Sequence, residues 1–202
     1  ANPPYVRQEE IEKKSKAKML AIYGGGDNPP VQGKSDLYCY FFVRANQLLR
    51  TGGIQVFICS NSWLDVGFGA QLQHYFLSKY TILKLIDSRK ERQFASADVN
   101  TVISFIRKSI PVDEHEVDFV MIESDFENSI RNRAYLTSRL INQKLILEKG
   151  ISRYKYTGQR LSIYHRAPEV YLNLLEVLRS DSTKLGAISE IFRGPVTGCN
   201  DF

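Results

Sequence analysis

The chain is poor in the residues from which protein-held reaction centres are most often built. Its three cysteines, Cys39, Cys59 and Cys199, are odd in number and far apart, so they make neither a disulfide framework nor a paired-cysteine zinc site. That usage fits a reducing, cytoplasmic compartment. The three histidines, His74, His115 and His165, lie in separate segments with no metal-ligand spacing such as His-Glu-x-x-His, so catalysis by a protein-held metal is not expected. Uninterrupted apolar runs such as Val56 to Cys59 fall far short of the ~18 residues a membrane span needs, and no signal-peptide pattern opens the chain. No membrane partner is expected. Internal repeats and low-complexity stretches are also missing.

What is present is an ordinary globular composition with a mild basic bias. The 27 Lys and Arg against 22 Asp and Glu leave +5 over 202 residues, a modest pointer to a polyanionic partner. The first residue is Ala1, not a methionine. It stands directly against Asn2-Pro3-Pro4-Tyr5 with no element before it, so the chain reads as a piece of a longer one. Arg7 to Tyr23 reads as a lysine-rich surface helix stopped by Gly24-Gly25-Gly26. From Ser35 to Arg50, Leu37, Phe41, Ala45 and Leu48 recur at helical spacing. Ser35 or Asp36 can cap the start and Gly52-Gly53 the end. Ile54 to Ser60 has the pattern of a strand buried on both faces of a parallel sheet. A helix over Gly69 to Lys79 and a strand over Ile82 to Asp87 follow, which predicts crossover units and a mainly parallel sheet. Thr101 to Arg107 and Val117 to Glu123, with no helix between them, predict an antiparallel edge. Asn128 to Lys149 reads as one long helix, and the tail is helical again over Pro168 to Arg179 and Leu185 to Phe192.

The informative tetrad is Asn2-Pro3-Pro4-Tyr5, whose chance occurrence in a chain this long is on the order of one in a thousand. Two successive prolines remove two amide donors and bar helix or ladder, leaving carbonyls free to accept from a ligand. A side-chain amide oxygen beside such a carbonyl can accept both hydrogens of one amino group, and Tyr5 offers a flat face to a ring. Holding both N–H bonds favours a pyramidal nitrogen, so the pattern suits methyl transfer to an exocyclic amine without a strong base. A plain Asn-Pro turn is the alternative, and it is the preferred reading of the second Asn-Pro-Pro, Asn28 to Pro30.

Four features occur in the order seen in adenine-specific DNA methyltransferases. They are the tetrad, Gly33-Lys34-Ser35-Asp36-Leu37-Tyr38 leading into a helix, the run Gly52-Gly53-Ile54 to Asn61-Ser62-Trp63-Leu64, and Phe94 ahead of Val102-Ile103-Ser104-Phe105. Over roughly residues 1 to 108 the chain resembles the methylases of type II and type IIG restriction-modification systems. The resemblance implies an α/β fold. It would be the C-terminal half of a doubly wound, Rossmann-like S-adenosylmethionine-dependent sheet with antiparallel final strands, followed by a helical connector. It implies that Asn2 and the carbonyl of Pro3, with Pro4 shaping the turn, hold the amino group of a flipped adenine in double-stranded DNA, and that Tyr5 stacks on the base. Phe94 stands where a second aromatic meets that base, or packs as an ordinary loop residue. Phe41 stands near the adenine of S-adenosylmethionine, or is a core position of its helix.

The Gly-rich turn and acidic residue that grip the cofactor in this family normally precede the tetrad and have no counterpart here. These 202 residues alone are therefore expected to be inactive. The expected division is residues 1–125 as the catalytic half, 126–190 as the connector, and 191–202 as the start of a target-recognition domain, with Thr197 and Asn200 facing DNA. Arg131, Arg133 and Arg139 head a basic, tyrosine-containing stretch over 129–160 that either follows a phosphate backbone or is a solvated face. An RNA or protein-glutamine methyltransferase, or a silent DNA-binding connector, are the alternative functions. Oligomeric state is not legible.

Overall fold

Lysine-rich residues Lys13–Tyr23 form helix α1, none of whose side chains is buried. Helix α2, Leu37–Leu48, turns Tyr38, Cys39, Phe42, Val43 and Asn46 inward. Asp36 stands before its first turn without capping it; the carboxylate instead accepts the Gln8 amide at 2.9 Å. Gly52, at φ 78°, makes the reversal into strand β1, Ile54–Ser60. A 3-10 turn, Asn61–Leu64, leads to helix α3, Gly69–Lys79, where a Cβ on Gly69 would collide with the Trp63 carbonyl. Strands β2 (Thr81–Ser88), β3 (Thr101–Arg107) and β4 (Glu116–Ile122) follow, then helix α4 (Phe126–Arg131), strand β5 (Leu136–Asn142) and helix α5 (Gln143–Lys149). A small hairpin, β6 (Ile151–Ser152) with β7 (Lys155–Tyr156), and helix α6 (Ile163–Arg166) complete a first unit, Ala1–Arg166. The second unit, Ala167–Phe202, holds helix α7, Glu169–Asp181, whose first turn closes on the Pro168 carbonyl. The computed structural model describes residues 1–65, 67–89, 100–152, 155–181, 183 and 188–190. Among them no helix is long and apolar enough to cross a membrane.

The fold is mixed α/β around an open five-stranded sheet of order β1-β3-β2-β4-β5. Two expectations need correction. The sheet is not mainly parallel: only β2 and β4 pair parallel, while β1–β3, β2–β3 and β4–β5 are antiparallel. Nor do β3 and β4 form an edge hairpin, because β3 inserts between β1 and β2 and β4 lies on the far side of β2. A strand reached without a crossover helix returns antiparallel, and β3 satisfies two neighbours by filling the gap between them. All five strands therefore bring one set of ends together: the C-terminal ends of β1, β2 and β4 and the N-terminal ends of β3 and β5.

Strand β1 is covered on one face only. Gln55, Phe57 and Cys59 are buried, but Ile54 and Val56 are exposed, so a continuous apolar run does not mean burial on both sides here. The expected long helix over 128–149 is instead α4, a 3-10 turn (Arg133–Tyr135), β5 and α5. The Asn132 side chain accepts the Ala134 amide and the Asn142 side chain accepts that of Leu145, two local caps that divide the segment. Leu136 and Leu140 sit four apart, which suits a helix and also one side of a strand. Pairing with β4 decides for the strand. The expected helix over 185–192 lies mostly outside the described residues.

The core gathers Phe42, Phe57, Trp63 and Phe76, with ring centroids 5.0 to 5.9 Å apart, between α2, β1 and α3. A second cluster joins Phe119 of β4 to Tyr164 and His165 of α6. The α3–β2 corner turns on fully buried Gln143, which donates to the carbonyls of Leu77 (3.0 Å) and Tyr80 (2.7 Å) and accepts from the Ile82 amide (2.9 Å). Gln143→Leu strands three buried backbone groups. It should lower stability by about 3 kcal/mol, read as a lower urea midpoint with an unchanged slope.

Candidate functional site

The tetrad is positioned by the residue before it. The Ala1 amino group donates to the Val56 carbonyl (2.7 Å) and the Ala1 carbonyl accepts from the Ile58 amide (3.1 Å), the bonding pattern of a strand running parallel to β1. Asn2 to Tyr5 therefore leave the sheet towards the C-terminal end of β1. Pro3 is buried, Asn2 and Pro4 are exposed, and Tyr5 is half-buried. Among the described residues neither the Asn2 side chain nor the Pro3 carbonyl takes part in a hydrogen bond, so both acceptors are without a partner there. The Tyr5 hydroxyl donates to the Ile58 carbonyl at 3.3 Å, and burial, with Cys59 nearby, pushes its pKa up to about 12. Beyond Tyr5, the Val6 carbonyl accepts from the Leu37 amide and the Gln8 amide donates to Asp36. These bonds bind the loop to the start of α2.

Tyr5 forms one wall of a cleft of about 240 Å³ whose remaining lining is largely polar: Arg7 and Asp36, Tyr38, the run Ser60-Asn61-Ser62, and Asn100. The Asn61 amide donates to the Asn100 carbonyl (3.0 Å), which fastens the end of β1 to the chain entering β3. Ser60 Oγ and Ser62 Oγ are 2.8 Å apart. Burial raises the Asp36 carboxyl above its usual range, opposed by the bond from Gln8. Burial likewise holds the Tyr38 phenol well above its ordinary value. The arrangement can receive a flat, polar ring and hold a group at its edge.

The second Asn-Pro-Pro, Asn28 to Pro30, lies in a loop against α3, with Asn28 and Pro29 beside His74 and Tyr156 at a recess of about 60 Å³ that no residue of the five-stranded sheet lines. Phe41 is 43% exposed, so it is not a core position. Two helical turns on, at the same face of α2, Leu48 is exposed as well. Phe94, Thr197 and Asn200 lie outside the described residues. Arg131 is exposed in the last turn of α4, and Arg133 follows in the 3-10 turn, its side chain outside the described part; both precede β5 at the sheet end that carries the cleft. Arg139, in mid-β5, donates to the Tyr164 carbonyl at 2.8 Å. Lys144 lies beyond the opposite end of β5, paired with Asp113. The basic stretch is thus spread over both ends of the sheet, not along one helix.

Sequence reasoning does not single out Arg7, Tyr38, Ser60, Ser62 or Asn100 as site residues. The usable signal is Ser60-Asn61-Ser62, a polar run directly after an apolar strand. Asn100 and Arg7 carry none, because only the pairing of β3 with β1 brings Asn100 to the cleft.

Residues 1–94 match the family model described as Eco57I restriction-modification methylase. The chain is 26% identical over 108 residues to type II methyltransferase M.BanIII of Aneurinibacillus aneurinilyticus, covering 54% of this chain and 18% of that protein. It is 32% identical over 95 residues to type II methyltransferase M.XhoI of Xanthomonas vasicola, covering 47% and 16%. Its fold resembles the modification subunit of a putative type I restriction enzyme from Vibrio vulnificus YJ016, with a TM-score of 0.53 at 15% identity over 87% of this chain and 38% of that one. The chain spans less than a fifth of the length of these curated relatives. The tetrad, β1, β2 and most of the cleft lie within residues 1–94, and the family model and these relatives together support a restriction-modification methylase fragment.

Proposed function

We propose that this segment is the base-handling half of a site-specific DNA adenine-N6 methyltransferase that uses S-adenosylmethionine and acts on an adenine turned out of the duplex. One observation carries the reading: two acceptors without a partner among the described residues, on Asn2 and Pro3, lie in the chain that leaves the sheet towards the C-terminal end of β1, where Tyr5 walls a polar cleft. The Asn2 side-chain oxygen and the Pro3 carbonyl accept the two hydrogens of the 6-amino group. This draws the nitrogen lone pair out of conjugation with the ring and aims it away from the clamp. Tyr5 holds the ring from one face, and Phe94 is assigned to the other. Bound S-adenosylmethionine supplies an electrophilic sulfonium methyl. Phe41 fits that cofactor because its exposed ring gives a flat surface to an adenine. The alkylated nitrogen is cationic and readily loses a proton to water, so Asn2 and Pro3 need only orient it. Arg131 and Arg133 are assigned to phosphates, and Thr197 and Asn200 to a DNA-reading segment.

The test is product analysis by mass spectrometry after incubation with duplex DNA and labelled S-adenosylmethionine. A full-length enzyme containing this segment should yield N6-methyladenine, and the 202-residue chain alone should yield none. Methylated cytosine, RNA or glutamine would overturn the assignment. Strong activity from the short chain would show that the cofactor grip lies within it.

A further inference from the structure

The inner end of the cleft contains a hydroxyl group that the fold leaves unused. Tyr38 is 1% exposed, yet its Oη has no hydrogen-bond partner. Phenylalanine would keep the edge contact with Phe42 (ring centroids 6.4 Å apart) and avoid burying an unpaired phenol. Beside it stands Ser60, whose Oγ accepts from the Ser62 amide (3.3 Å) and shares one hydrogen with Ser62 Oγ (2.8 Å). All three residues line the cleft. One hydroxyl hydrogen serves the serine pair, so one serine hydrogen and that of Tyr38 remain unspent. The Tyr38 hydroxyl, its hydrogen unspent, can donate to the second lone pair of the Ser60 Oγ beside it.

We infer that Tyr38, Ser60 and Ser62 form a reader for a ring nitrogen of the base, with Ser60 as the contact and Tyr38 as its positioning residue, resting on the assignment of the cleft to the target adenine. The polarity follows from counting lone pairs. A serine oxygen has two, and when the Ser62 amide occupies one and Tyr38 Oη–H the other, the Ser60 hydroxyl can only donate outward. An obligate donor accepts the bare ring nitrogens of adenine and rejects a ring N–H such as that of guanine N1. In the empty cleft Ser60 and Ser62 satisfy each other, so the bond to the base forms by rotation of one hydroxyl. The charged groups at the cleft, Arg7 and Asp36, stand on the neighbouring loop and are not required for this polarity.

The experiment measures kcat/KM of the full-length enzyme on duplexes whose target adenine is replaced in turn by 1-deaza-, 3-deaza- or 7-deazaadenine, for wild type, Tyr38→Phe and Ser60→Ala. One analogue should cost the wild type about tenfold, the worth of one hydrogen bond in a desolvated site. The same analogue should cost Ser60→Ala nothing further and Tyr38→Phe about twofold or less. A merely structural Tyr38 would lower activity equally on every substrate. If Tyr38→Phe fails to fold, Ser60→Ala decides alone. Equal penalties in wild type and variants, or no analogue penalised in the wild type, overturn the inference and leave adenine methylation standing. A wild type that does not methylate the natural adenine overturns both.

Discussion

Asn2→Ala in the full-length enzyme is expected to lower kcat by about 100- to 1,000-fold while DNA affinity stays within about twofold. That is the size of effect seen when one preorganised polar group aimed at a transition state is removed. The Asn2 side chain is exposed and bonded to no other described group, so its loss leaves no internal bond broken and stability should hold. The amino group of a bound adenine is nearly planar, and its hydrogens gain acidity only as the nitrogen pyramidalises and becomes cationic. The acceptor is therefore worth most in the transition state, and the loss belongs in kcat and not in binding. Single-turnover methylation and equilibrium DNA binding, measured on the same preparation, separate the two. An Asn2→Ala enzyme with intact turnover would reduce the tetrad to a structural turn.

Tyr5→Ala should instead weaken capture of the flipped base by about 5- to 150-fold, the equivalent of the roughly 1–3 kcal/mol that one stacking aromatic contributes. A 2-aminopurine at the target position should show a correspondingly smaller rise in emission on binding. From the residue type alone, Tyr5→Phe would be silent, since only the ring face is used. The structure modifies that expectation, because the Tyr5 hydroxyl donates to the Ile58 carbonyl and so anchors the ring to β1. Tyr5→Phe should therefore cost up to about 1 kcal/mol of stability, with turnover and 2-aminopurine emission within about threefold of wild type. If Tyr5→Phe loses as much emission as Tyr5→Ala, the hydroxyl and not the ring face is the functional group.

Short-range chemistry alone makes some elements legible in the amino-acid sequence. Helices α2 and α3 and strands β1 and β2 stand within two residues of their expected bounds, because periodic apolar residues and flanking glycines act over a few residues. The tetrad is legible for a similar reason: two prolines constrain their own backbone wherever they are placed. Strand order is not legible. Whether β3 lies at an edge or between β1 and β2 depends on which partners leave fewest backbone groups unpaired, and those partners are distant in sequence. The segment 128–149 misleads because leucines four apart satisfy a helix face and a strand face alike, and only β4 beside them selects the strand. The amino-acid sequence by itself determined the constrained tetrad and the resemblance to restriction-modification methylases. Tertiary structure decided what surrounds that tetrad. Ser60 and Ser62 at the end of β1, Asn100 at the start of β3 and Tyr38 inside α2 share one cleft, because pairing β3 beside β1 and packing α2 against its covered face bring together residues up to 62 positions apart.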